Sequence, residues 1–315
     1  MRFLYQKVFG SVDTLKPKCI EDPNLASTEI INLLKSDKPV MIARFGSTEL
    51  TCVANYLGVI SPSNSWSKYV KGIDPPWWWN KKIIKQMNSF SGFFPTRIPE
   101  IIKFCCLMLD DMKELDLLGS WTPVERYFEN NISDIPKINL ALLDPYFSDI
   151  PWTTVLKGKR VLVIHPFSKS IVRQYEKRKL LFCGNVLPDF KLLTIKAVQT
   201  IGKDNLEYSS WFDALEYMKM EMDNIDYDIC LIGAGAYGFA LAAHAKRQGK
   251  KAVHMGGSLQ LLFGIRGRRW ESLDYKFSYN ERQFNYWSLM NEHWVRPDID
   301  EKPEKALQVE GGCYW

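Results

Sequence analysis

The chain of 315 residues is 46% hydrophobic and 24% charged, enough apolar material for a sizeable core and far from the composition of a disordered segment. Its net charge of +5 comes without a clustered basic stripe, which argues against a nucleic-acid binder and suits an anionic nucleotide or a lipid headgroup surface. Seven cysteines with no C-x-x-C pair and no His/Cys metal spacing exclude a disulfide scaffold and a structural zinc site, so reduced thiols are expected. No apolar run approaches the ~18 residues of a membrane span, and the start MRFLYQKVFGSVDTLK is too short and polar for a secretion signal, so a cytoplasmic protein is expected.

In chain order, the first strand is predicted over Val40–Arg44, followed by Phe45-Gly46-Ser47-Thr48-Glu49. From about 61 to 135 no good strand is found. Helices are predicted there over 81–90 and 98–115, introduced by GIDPPWWWN, whose Pro75-Pro76 breaks regular structure. The stretch reads as a helical insert on the sheet. Further strands are predicted over 138–143, Arg160–His165, 191–195, 228–232 and 251–255. Gly233, Gly235 and Gly238 then follow a G-x-G-x-x-G spacing into a helix over 237–247. A second glycine turn, Gly256-Gly257, follows His254, and an irregular tail begins at about 297 and runs to 315. Apolar strands alternating with amphipathic helices predict an α/β fold, a mostly parallel sheet flanked by helices in one domain spanning 1–315.

Ligands of open parallel sheets lie beyond the carboxyl ends of the strands, and those positions are polar here. They carry Arg44 and Glu49, Asp144, His165, Ser168-Lys169-Ser170, the Gly233–Gly238 turn with Tyr237, and His254. Glycines let a backbone approach a phosphate at a helix start, or simply make tight turns. A dinucleotide site would want an acidic residue after the next strand, where His254 and Gly256-Gly257 stand instead, so the ligand expected is phosphate-bearing but not NAD. Ser168, Lys169 and Ser170 offer a second phosphate site, or helix capping. Glu49 is a catalytic candidate, or a first-turn glutamate stabilised by its helix dipole. Trp77, Trp78 and Trp79 could stack on an acceptor or lie at a membrane interface, or pack as a hinge under the insert.

RFGSTEL, LIGAGAYGFALAAHAKRQGKKAVHMGG, HMGGSLQLLFGIRGRRWE, NEHWVRP and the ending VEGGCYW together resemble the GT-D-type bacterial glycosyltransferases and proteins found with surface-polysaccharide genes. The resemblance covers most of the chain from about 39 onward. It implies a Rossmann-like sheet, a nucleotide-sugar donor and a metal held by an Asp-x-Glu pair. Arg44, Gly46 and Glu49 match that pattern, while Ser47 stands at the Asp position. Mg²⁺ or Mn²⁺ dependence on Glu49 is thereby put in question, since these ions lean on charged oxygens. Arg266, Arg268 or Arg269, or Lys169, could neutralise the leaving diphosphate instead.

The expected activity is transfer of a sugar from a nucleotide-diphosphate sugar to a hydroxyl of a surface glycan, with a lipid-linked acceptor and a peripheral place at the inner membrane face as further expectations. Glu49, Arg44, Asp144 and His165 are the catalytic candidates. Gly46, Ser47, the Ser168–Ser170 turn, both glycine turns, Tyr237, His254, Arg266 and Arg268 are the donor candidates. A Rossmann-type oxidoreductase or methyltransferase, or a non-catalytic nucleotide- or polysaccharide-binding module, are the alternatives.

Overall fold

The computed structural model describes residues 2–9, 17–62, 65–200, 207–302 and 311–315. Its strands are β1 Val40–Arg44, β2 Leu117–Ser120, β3 Lys137–Asn139, β4 Arg160–His165, β5 Lys191–Lys196, β6 Ile229–Ile232, β7 Lys251–His254, β8 Lys276–Tyr279 and β9 Arg282–Asn285. The α-helices are α1 Arg2–Phe9, α2 Pro23–Lys35, α3 Ser47–Ile60, α4 Trp66–Lys71, α5 Lys81–Ser89, α6 Ile98–Asp111, α7 Glu129–Ile132, α8 Ser168–Glu176, α9 Arg178–Leu181, α10 Trp211–Asp223, α11 Gly238–Arg247, α12 Leu259–Leu262 and α13 Arg268–Glu271.

Seven strands form one sheet in the order β3-β2-β1-β7-β6-β4-β5, every pair parallel. Parallel strands buried on both faces need apolar residues at successive positions, and alternate residues feed two cores. On one face Met41, Ala43, Leu162, Ile164, Cys230 and Ile232 pack with α3, α5, α6, α10 and α11. On the other, Val40, Ile42, Val161, Val163, Ile229 and Leu231 pack with α2, α8, α12, Trp270 of α13 and the hairpin residue Phe277. The helix after β4 thus lies on the opposite face from the helices after β1 and β6. The carboxyl ends of β1, β7, β6 and β4, beside that switch of faces, are where this topology places ligands. Among the described residues no helix is long and apolar enough to cross a membrane, and all seven cysteines are free thiols.

Besides the unexpected β8–β9 hairpin, three elements differ from expectation. Strand β2 lies inside the stretch expected to hold helices alone; it is only four residues long, and Gly119 within it is required because a Cβ there would sit 2.6 Å from Leu143 Cδ1. The strand expected over 138–143 ends at Asn139, whose side chain accepts from the Ala141 N–H at 3.0 Å and turns the chain into a 3₁₀ helix over Leu140–Leu143. The helix after the glycine turn begins at Gly238, preceded by a 3₁₀ turn over Gly235–Tyr237.

Candidate active site

Arg44 closes β1 at the carboxyl edge. Its guanidinium carbon lies 5.3 Å from the centre of the Trp121 ring. Trp121 is fixed in turn, its indole N–H donating to Phe45 O at 3.1 Å and its main-chain N–H to Glu125 Oε1 at 2.9 Å. Glu125 is buried, completes a capping box with Thr122, and also accepts from the Ser120 hydroxyl. Across from Arg44, Gly256 adopts φ +70°, and a Cβ there would stand 3.3 Å from Arg44 Nη1. No ion pair reaches Arg44 among the described residues, and its Nε is buried without a partner. Desolvation lowers its pKa, with the Tyr314 phenol and the Glu49 carboxylate working against that. A desolvated cation left without a counter-ion is costly to hold, and it is a ready receptor for an anion.

Glu49 occupies the first turn of α3 with its carboxylate curled back over the N-cap, so that a Cβ on Gly46 would lie 2.0 Å from Glu49 Oε2. Glycine at 46 leaves room for that carboxylate. Ser47 is exposed at the first position of the same helix. As a divalent-cation site this turn offers one carboxylate and one hydroxyl beside a guanidinium, and no group of three His, Cys, Asp or Glu gathers among the described residues. That donor set does not fit a preformed Mg²⁺ or Mn²⁺ site.

The three glycines of the G-x-G-x-x-G spacing do different work. A Cβ on Gly238 would lie 2.2 Å from His254 Cε1, and one on Gly233 would lie 2.5 Å from His165 Cδ2 and 2.8 Å from Gly256 O. Both positions make room for buried imidazoles. Only Gly235, at φ +54°, faces open space with nothing within 4 Å of a built Cβ, so close approach of a ligand is confined to that position. His165 Nδ1 accepts from the Phe167 N–H at 3.0 Å, and His254 Nδ1 lies 3.2 Å from Ile232 O, which requires its N–H form. Burial pushes both imidazoles down to about 3, so they are neutral at physiological pH.

Asp144 is buried behind a wall of phenols. Its Oδ2 accepts from the Tyr286 hydroxyl at 2.6 Å, while its Oδ1 and the Tyr146 hydroxyl are buried without partners. Desolvation raises its pKa to about 6, with the hydroxyls of Tyr286 and Ser258 partly offsetting that. Tyr275 lies within electrostatic range of Asp144 and of the Arg269 and Arg44 guanidiniums. The C-terminal residues close this cluster. Gln260 Nε2 donates to Tyr314 O at 3.1 Å, the Arg269 N–H donates to Cys313 O at 3.1 Å, and the Arg269 guanidinium lies 5.0 Å from the Tyr314 ring centre. A Cβ on Gly257 would meet the Tyr314 ring at 2.2 Å, so Gly257 lies under this residue rather than open to a donor.

Other expected donor contacts are placed differently. The start of α8 already holds an anion: Glu301 accepts from the Lys169 N–H at 2.8 Å and from the N–H and hydroxyl of Ser170, and the Lys169 ammonium pairs with Asp300. At Lys169 and Ser170 the N-terminal charge of that helix is thus already met by the chain itself. This part of the expected irregular surface tail is therefore partly buried structure, Glu301 being fully covered. Tyr237 points into the core, stacked on Trp211 at 4.8 Å with its hydroxyl 3.1 Å from that of Thr200. Arg266 Nε is buried without a partner, and Arg268 is exposed at the start of α13. Trp79 stacks on Tyr56 at 6.3 Å against the core, whereas Trp77 and Trp78 join Trp66 and Tyr69. Their loop is anchored by Asn55, which donates to Pro76 O and Trp78 O, eight residues and hence ~12 Å along α3 from Ser47.

Trp121, Glu125, Tyr275, Tyr286 and Tyr314 were not read as site residues from the sequence. Trp121 and Glu125 follow the short strand β2, and the phenols arrive from the hairpin region and the chain end. No family model and no curated protein matches the chain. A solved structure titled "Selenomethionine substituted structure of domain of unknown function 1792" aligns over 94% of this chain and 98% of that one, at 12% identity and a TM-score of 0.36, a similarity too slight to bear on function.

Proposed function

We propose that the protein is a glycosyltransferase that binds a nucleotide-diphosphate sugar at the carboxyl edge, with the diphosphate on Arg44. The observation that supports this reading most is the desolvated Arg44 guanidinium, without an ion pair, between Trp121 and the Gly256 turn. Gly235 gives the backbone approach that a phosphate needs, and the wall of phenols around Asp144 has the aromatic-and-carboxylate character that suits a sugar ring.

In the reaction, an acceptor hydroxyl oxygen forms a bond to the anomeric carbon while the bond from that carbon to the diphosphate oxygen breaks. The bonding pair leaves with the diphosphate, whose charge Arg44 and Arg269 neutralise. We assign the acceptor proton to Asp144 Oδ1, the buried oxygen without a partner, on a carboxyl whose pKa is raised to about 6; the surrounding phenols must part for the acceptor to reach it. The field of the Glu49 carboxylate opposes the desolvation of the Arg44 guanidinium. If a divalent cation takes part, the donor diphosphate brings it, with Glu49 as the nearby carboxylate.

A transfer or donor-hydrolysis assay with a panel of nucleotide sugars tests this. Asp144→Asn should lower turnover by on the order of 10²-fold and abolish the acid limb near pH 6, while Glu49→Gln should act more on donor binding. If Glu49→Gln removes the acid limb and Asp144→Asn leaves turnover intact, Glu49 is the base. Should no nucleotide sugar be consumed, the reading fails.

A further inference from the structure

Helix α1 presents Leu4 and Val8, one turn apart, and the adjoining Phe9, all exposed, with Phe9 72% accessible and its ring tilted against that of Tyr5 at 4.8 Å. It packs beside α4, where the Arg2 guanidinium lies 5.1 Å from the Tyr69 ring centre. On α4, Trp66 is 64% accessible and sits 5.1 Å from Trp77 and 6.3 Å from Trp78. Ile73 extends the same apolar surface, and the rings brace one another instead of entering the core. Lys7 on α1 and Lys68 and Lys71 on α4 are exposed, as are Lys81, Lys82 and Lys85 on α5, which follows the tryptophan loop in sequence, against a single acidic residue, Asp74, in the two segments 2–9 and 65–85. Lys68, Lys71, Lys81 and Lys82 form no salt bridge among the described residues. The surface thus joins protruding aromatic and aliphatic side chains to a basic rim.

We propose that this face docks on an anionic lipid bilayer surface. Trp and Phe settle at the headgroup boundary, and lysines around them are drawn to negatively charged headgroups. The charge selects among occupants: a second copy seated on the same patch would set one lysine rim against another, whereas an anionic bilayer complements it. The proposal stands independently of the catalytic reading, since the patch lies toward the far end of α3 from Ser47.

The test is co-sedimentation of the full chain with vesicles of phosphatidylcholine alone or with added phosphatidylglycerol, at low and high salt. Binding is expected to the anionic vesicles only and to weaken with salt. The combined Lys68→Glu, Lys71→Glu, Lys81→Glu and Lys82→Glu variant should bind on the order of 100-fold more weakly or worse. Phe9→Ser with Trp66→Ser, both at exposed positions that leave the fold intact, should also lose binding. Failure of the wild type to sediment with anionic vesicles, equal sedimentation with neutral ones, or undiminished binding by the lysine variant would overturn the proposal. So would concentration-dependent self-association without vesicles that the same substitutions abolish, or capture by an acidic polypeptide in place of the vesicles.

Discussion

Substituting the three motif glycines separates their roles. Gly238→Ala drives a methyl to 2.2 Å from His254 Cε1, and that ring is 3% exposed and tied to Ile232 O, so it has nowhere to go. Overpacking of this kind costs about 2 kcal/mol. Gly235→Ala meets no atom within 4 Å and carries only the strain of φ +54°, about 1 kcal/mol. Because these magnitudes lie close together, the decisive quantity is coupling. Removing the imidazole with His254→Ala leaves a space that the Gly238→Ala methyl fills, so the pair should couple favourably by about 1–2 kcal/mol, while Gly235→Ala with His254→Ala should be additive within about 0.5 kcal/mol. Urea denaturation of the single and double variants measures both cycles. Additivity in the Gly238/His254 cycle would refute the argument that Gly238 exists to admit the imidazole, and would return it to a ligand-facing role.

The pH profile follows from four buried groups. His165 and His254, held at about 3 against an ordinary 6.5, contribute stability that is complete above 6.5 and is lost as the unfolded chain takes up protons on the way down to about 3. Asp111 and Asp144, raised to about 6 from 3.8, act in the opposite sense, stabilising more as pH falls from about 6 to 3.8. Stability should therefore be nearly level between about 6 and 4 and fall below it, as urea midpoints across that range would show; a steep loss already between 6 and 5 would contradict the burial of the two carboxyls. Glu301→Gln should cost about 1–3 kcal/mol in the same assay, by removing a charged acceptor shared by two N–H groups and the Ser170 hydroxyl; an unchanged midpoint would mean that α8 does not depend on it.

The apolar runs of β1 and β4 are legible because a strand buried on both faces needs little else, and their bounds coincide with the sequence reading. β2 escaped because LLGS is short and contains Gly119, whose reason lies in Leu143. The β8–β9 hairpin escaped because its turn is Asn280-Glu281, with φ of 46° and 65°, where Asn-Gly would have signalled it. In the site, Arg44 and Glu49 could be found because they follow a strand. The phenols of Tyr275, Tyr286 and Tyr314 could not, because they reach Arg44 and Asp144 from residues far along the chain. Glu301 was hidden for the same reason, inside a polar and proline-containing stretch. The glycine spacing was readable as turns, but the imidazoles that require Gly233 and Gly238 are apparent only in three dimensions.

Thermal unfolding with UDP, GDP, dTDP and NAD, run on the wild type and on Arg44→Met, tests the central claim most directly. One nucleoside diphosphate at 100 times its dissociation constant should stabilise the wild type by about 2.7 kcal/mol, and Arg44→Met should lose that shift while keeping its own unliganded stability. Stabilisation by NAD instead, or a nucleoside-diphosphate shift that survives Arg44→Met, would contradict the assignment of Arg44 as the diphosphate receptor.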